Sequence, residues 1–149
     1  TNQQIAEFRR VVLASSDYYA HLKERVKYLK AAATKSGTEA LTLLNDISVF
    51  ENKCQTLERK LYGDRSLAKR EFETTDGFVD DMETMVYYTW AQSYGSTKVL
   101  EDKFRELKTG FGILYTQIKE LKQLTEQMEA KADKAKLPGT LGRLPEFVE

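Results

Sequence analysis

Catalysis needs an activated nucleophile, a general base or a metal, and this 149-residue chain holds few of the residues that supply them. Its one histidine, His21, stands in the run DYYAHLKER with no Ser, Cys or Thr at helical spacing. That argues against a histidine-activated nucleophile. A di-iron bundle wants Glu-x-x-His from two helices, whereas His21-Leu22-Lys23-Glu24 runs the opposite way and occurs once. No glycine-rich phosphate loop is present. Asp80, Asp81 and Glu83 could hold a hard cation weakly, but the ordered ligand spacing of a calcium loop is missing. The reading is therefore non-enzymatic, with no cofactor and no metal.

What remains is recognition, and one stretch invites it: DGFVDDMETMVYYTWAQSYG, Asp76 to Gly95, which contains the only tryptophan. At 100° per residue, Phe78, Met82, Met85 and Thr89 share one face of a helix, with Val79 and Val86 on its flank. That face belongs to a core. A second stripe, Asp76, Asp80, Glu83, Tyr87, Trp90 and Tyr94, lies roughly opposite, beginning acidic and ending aromatic. One account tucks its rings against a neighbouring helix or the first interhelical loop, with their polar tips in water. Another makes it a protein-docking patch, since aromatics anchor interfaces and acids steer a basic partner. A pocket for a small hydrophobic ligand ranks third. An intermediate arrangement is expected, with one face of Trp90 packed near Ala32 and the other open; Tyr87, Trp90, Tyr94, Asp80 and Glu83 are the partner-binding candidates.

Composition narrows the partner. The 23 basic and 23 acidic side chains cancel, so a dedicated nucleic-acid binder is not expected. The charge is uneven, however. Residues 64–95 hold three Lys/Arg against seven Asp/Glu, while residues 1–36 hold seven against three, so the two segments are of opposite sign. Cys54 is the only cysteine, which rules out an intrachain disulfide and slightly favours a reducing compartment such as the cytoplasm. A mature secreted protein stays compatible, because the chain begins at Thr1 and a leader could precede it. No run of about 18 apolar residues offers a membrane span.

The elements that must position the stripe are read from periodicity. Ile5, Phe8, Val12, Ser15, Tyr19, Leu22, Val26, Leu29 and Ala33 advance in steps of three and four, which is one amphipathic helix over about 2–35. Gly37 suits its C-terminus and Thr38 the next N-cap. A second helix, about 38–62, carries Ala40, Leu43, Ile47, Phe50, Cys54, Leu57 and Leu61, which places Cys54 in the seam as a small core residue rather than a nucleophile. A third, about 65–94, continues through Ala68, Phe72, Thr75, Val79, Met82, Val86 and Thr89, although Thr74-Thr75-Asp76-Gly77 is poor helix material and should bend or break it. The fourth, about 97–136, carries Leu100, Phe104, Leu107, Phe111, Leu114, Ile118, Leu121, Thr125, Met128 and Ala132, with Gly110 and Gly112 admitting a close neighbour or a slight kink. The expectation is an all-α, antiparallel up-down-up-down four-helix bundle over residues 1–137.

Two features lie outside that simple bundle. At 1.5 Å per residue the fourth helix runs on the order of 60 Å against roughly 36 to 48 Å for the others, so its end should overhang. There a thin stripe of Met128, Ala132 and Ala135 would suit a coiled-coil arm and make the protein a dimer. After Pro138 the extended tail 138–149 is expected to dock on the bundle or on a partner through Leu141, Leu144 and Phe147.

The functional reading is an interaction or scaffold module with protein partners, self among them. The alternative is a carrier whose core opens around a lipid or other apolar ligand, since Tyr18, Tyr19, Phe78, Met82 and Met85 reach the interior or its margin. A third reading is peripheral membrane binding through helix-one cations. Among Arg9, Arg10, Lys23, Arg25, Lys27 and Lys30, Lys27 and Lys30 lie within about 40° of Lys23 whereas Arg25 points elsewhere, so the patch is modest and this ranks last.

Overall fold

A computed structural model describes residues 2–64, 77–91, 97–137 and 147. Among them the chain is an all-α helical bundle: α1 (Asn2–Lys35), α2 (Leu41–Tyr62), α3 (Phe78–Trp90) and α4 (Thr97–Lys134). No helix among the described residues is long and apolar enough to cross a membrane.

Each helix ends where backbone chemistry requires. Gly37 follows α1 with φ +71°, the left-handed conformation that favours glycine, and Ser36 donates from its backbone N–H to Ala33 and from its hydroxyl to Ala32. The sequence places an N-cap at Thr38, but Gly37–Ala40 is instead a single 3-10 turn leading into α2. Gly63 closes α2 with φ +77°, its N–H on the Arg59 carbonyl. Gly77 is extended (φ −74°, ψ 169°), so α3 starts at Phe78. Residues 65–76, with Ala68, Phe72 and Thr75, lie outside the described residues, as do 92–96. The expected third helix through 94 is shorter at its C-terminal end, because α3 stops at Trp90 and Ala91 is a turn residue whose N–H returns to Tyr87. After α4, Lys136 takes φ 55°, with the Leu137 N–H on Ala132 and the Lys136 N–H on Asp133. This is the Schellman arrangement with lysine in glycine's usual place.

The chain forms two compact units, Thr1–Ser16 with Gln55–Gln117, and Asp17–Cys54 with Ile118–Glu149. In the second unit three helical segments share a core with identical spacing: Tyr19, Leu22, Val26, Leu29, Ala33; Ala40, Leu43, Ile47, Phe50, Cys54; and Ile118, Leu121, Thr125, Met128, Ala132, all buried. Steps of three and four in each segment place its buried residues on one face of the helix. The buried Thr125 hydroxyl is satisfied by the Leu121 carbonyl at 2.8 Å. Ion pairs tie the rim: Arg25 to Glu129 through two nitrogens, Lys30 to Glu51 at 2.9 Å and Lys131 to Asp46 at 2.5 Å.

These contacts correct the expected overhang. Met128 is 2% exposed and Ala132 is buried, because Glu129 and Lys131 bind Arg25 and Asp46 and draw the last turns of α4 onto α1 and α2. Of the three stripe residues, Met128, Ala132 and Ala135, only Ala135 is exposed. The stripe that suggested an intermolecular coiled coil is spent inside one chain.

In the first unit, Ile5, Val12, Leu57, Leu61, Met82, Met85, Leu107, Phe111 and Leu114 are buried. Phe8 meets Phe104, Phe111 and Phe78 edge-on, with ring centroids at 5.5, 5.8 and 6.4 Å. Such edge-to-face pairs add about 0.5 to 1.5 kcal/mol beyond area burial. Gly110 does admit a close neighbour: a Cβ there would lie 3.6 Å from the Phe78 ring.

Candidate functional site

The site is built on α3. Asp80 and Asp81 lie in its first turn, where negative charge complements the helix N-terminus, and Gly77 provides no side-chain cap. Met82 and Met85 are fully buried, which fixes the rotation of the helix. Phe78, Val79, Val86 and Thr89 are half-buried on the flank of that face. With this face inward, the opposite face is necessarily turned to water.

The outward face carries Tyr87 at 62% and Trp90 at 85% of full exposure, both foreseen from the stripe. The half-packed tryptophan expected near Ala32 is not observed, since a ring that exposed has no packed face. Its position on the last helical residue explains this, because the turn that follows places no described side chain over it. Tyr88, 43% exposed, was missed by sequence reasoning. Its ring meets that of Tyr87 edge-on at 5.6 Å and 71°. Neighbours in sequence point about 100° apart on a helix, so a stripe count discards them. The Tyr-Tyr dipeptide was the available signal, since two long rings can bridge that angle. Tyr94 and Asp76 lie outside the described residues.

The two acids of the stripe have different fates. Asp80 is exposed. Glu83 is half-buried and receives Arg9 through Nε at 2.6 Å and Nη2 at 3.1 Å. This bidentate pair locks α3 to α1 and raises the Arg9 pKa above its ordinary value, chiefly through the hydrogen bonds to Glu83. Glu83 thus acts first as a strut, while Asp80 remains turned to solvent.

Of the tail candidates, Leu141 and Leu144 lie outside the described residues, and the Phe147 ring is 86% exposed, so the bundle itself does not cover it.

Other candidate groups are also placed. His21 is exposed. Cys54 is buried in the seam, where its carbonyl accepts from the Tyr19 hydroxyl at 3.4 Å. Among the described residues no group of three His, Cys, Asp or Glu side chains could hold a metal ion. The residues proposed for a ligand-bearing core divide between the units: Tyr18 and Tyr19 belong to one, Phe78, Met82 and Met85 to the other. Several helix-one cations are already engaged, Arg9 with Glu83, Arg10 with Glu7, Arg25 with Glu129 and Lys30 with Glu51. An open groove of about 990 Å³ lies beside Phe8 and Phe104, rimmed by Gln3, Glu7, Arg10 and Lys108. The Lys108 ammonium there sits 4.5 Å from the Phe104 ring centroid.

The class these features define is an all-α helical bundle with an aromatic patch at the end of a short acidic helix. No family model matches the chain, no curated protein matches it, and no solved structure matches it.

Proposed function

We propose that the protein is a non-enzymatic interaction module whose docking face is the C-terminal half of α3. The observation that supports this reading is the clustering of Tyr87, Tyr88 and Trp90, all exposed, within the last four residues of a helix whose Met82 and Met85 are fully buried. Isolated exposed apolar residues are ordinary, as at Leu41, Val49, Val99 and Ile113 elsewhere in the chain. Contiguous aromatic groups on a rigid helix are what interface anchors consist of, because they offer large contact area at little conformational entropy. The Arg9–Glu83 pair supports the same reading by fixing α3 in place, so that docking does not have to order it.

Site-directed photo-crosslinking tests the proposal. A photoreactive residue at Tyr87, in cells expressing the protein, should give a discrete adduct that Trp90→Ala abolishes, and the adducted protein should bind the purified chain with the same dependence. The same residue placed at Leu41, exposed but isolated, is the control. Equal adducts from both positions, or an adduct indifferent to Trp90, would overturn the reading.

A further inference from the structure

The chemistry of the α3 docking face selects its occupant, and this step rests on the reading above. Three features bias the face toward a cation, each by a separate physical cause. The faces of Tyr87, Tyr88 and Trp90 carry the negative lobe of the aromatic quadrupole, which attracts ammonium and guanidinium groups. The rings sit at the C-terminal end of α3, the negative pole of its backbone dipoles, and no basic residue occupies its last turn. The helix itself bears Asp80, Asp81 and Glu83 and no Lys or Arg, with Glu83 paired to Arg9 and Asp80 turned to solvent.

The geometry of the two tyrosines gives the preference a shape. Their centroids lie 5.6 Å apart and their planes meet at 71°, so they form two walls of a corner, with Trp90 exposed one turn beyond Tyr87. A planar guanidinium stacks on one ring while its edge addresses the next, whereas a carboxylate in that corner would face π-electron density and a helix C-terminus together. We infer that this face docks a basic segment of another protein, seating an arginine side chain against Tyr87, Tyr88 and Trp90. The engaged Arg9 cannot serve as that cation for its own chain, because both of its bonding nitrogens are on Glu83.

The test is a titration of the isotopically labelled full chain with three peptides, Ac-GRGRGRG-amide, Ac-GEGEGEG-amide and Ac-GQGQGQG-amide. It is followed through the Trp90 indole N–H and the ring signals of Tyr87 and Tyr88. The arginine peptide should shift these signals saturably, and the glutamate and glutamine peptides should leave them in place. Tyr87→Ala and Trp90→Ala should each weaken the arginine peptide roughly three- to thirty-fold, the span expected when one cation–π partner is removed. Asp46→Asn, in the other unit, should change nothing. Two results would overturn the inference: glutamate or glutamine peptides shifting the same signals as strongly, or an arginine peptide that binds without regard to Trp90. In either case, a Trp90-dependent photo-adduct at Tyr87 would show that the docking face stands and only its charge preference has failed.

Discussion

Replacing Gly77 by alanine should destabilise the protein, and the structure sets both sign and size. The Gly77 backbone, at φ −74° and ψ 169°, suits any residue, so no dihedral strain arises. Less freedom in the unfolded chain would by itself favour alanine by about 0.4 to 1 kcal/mol. Sterics reverse that sign. A Cβ on Gly77 would stand 2.4 Å from the carbonyl carbon of Tyr62, 2.5 Å from the nitrogen of Gly63 and 2.5 Å from the carbonyl oxygen of Leu61. All three are backbone atoms at the end of α2, so no rotamer change relieves the contact. To restore ordinary separation, the start of α3 must retreat by about 1 Å, which loosens the packing of Met82 and Met85; forced overpacking of this kind costs about 1 to 3 kcal/mol.

Two other glycines supply internal controls. Gly37 has nothing within 4 Å of an added Cβ but adopts φ +71°, so Gly37→Ala should cost only the left-handed strain, about 1 kcal/mol. Gly112 has open space as well and lies inside α4, so Gly112→Ala should stabilise by about 0.5 to 1 kcal/mol. Urea unfolding followed by far-ultraviolet circular dichroism ranks the three, with Gly77→Ala moving the midpoint down by roughly 1 M or more. A Gly77→Ala midpoint at or above that of the parent would refute the close approach of α3 to the end of α2.

Further outcomes follow from the same geometry. Lys136→Gly should stabilise by about 1 kcal/mol, because glycine removes the left-handed penalty while the Leu137 and Lys136 amide bonds persist; thermal unfolding reads the gain. Phe50→Ala should lose about 3 to 5 kcal/mol in urea, since the ring is fully buried in the seam. Trp90→Ala should stay within about 0.5 kcal/mol of the parent, and the parent's fluorescence should be red-shifted and open to iodide quenching. A blue-emitting, protected Trp90 would mean that the ring is covered.

How much of this was legible in the sequence depends on which property of a helix is asked for. The repeat of three and four fixes which face of a helix is apolar, so Val12, Leu22, Phe50, Leu57 and Leu121 were assignable to the core before any fold was known. The same logic turned Trp90 and Tyr87 away from Met82 and Met85. A repeat does not say which segment lies beside which. The overhang of α4 followed from laying four helix lengths from a common line, and it failed because Lys131 meets Asp46 across 85 positions of sequence. Glu83 looked available for the same reason, its partner Arg9 being 74 residues away on another helix. Tyr88 escaped because angular bookkeeping treats side chains as short rods, whereas a tyrosine ring reaches far enough to meet its neighbour.

The placement of the aromatic patch also has an energetic logic. A helix of 13 residues is too short to be stable alone, so α3 depends on its docking through Met82, Met85 and the Arg9–Glu83 pair. Those anchors lie in its first two turns and their immediate sequel, whereas Tyr87, Tyr88 and Trp90 occupy the end. On the proposed reading, stability and recognition are therefore drawn from different turns of one helix. Substituting the rings removes binding surface while leaving the anchors in place, and breaking the anchors displaces the rings without altering their chemistry. An Arg9→Met, Glu83→Gln double change, which keeps the apolar stem and removes the bidentate bond without freeing a carboxylate, should then weaken arginine-peptide binding while the exposed Trp90 keeps its red emission. Retention of full binding affinity in that variant would mean that the methionines alone hold α3, and that the ion pair contributes nothing to presenting the face.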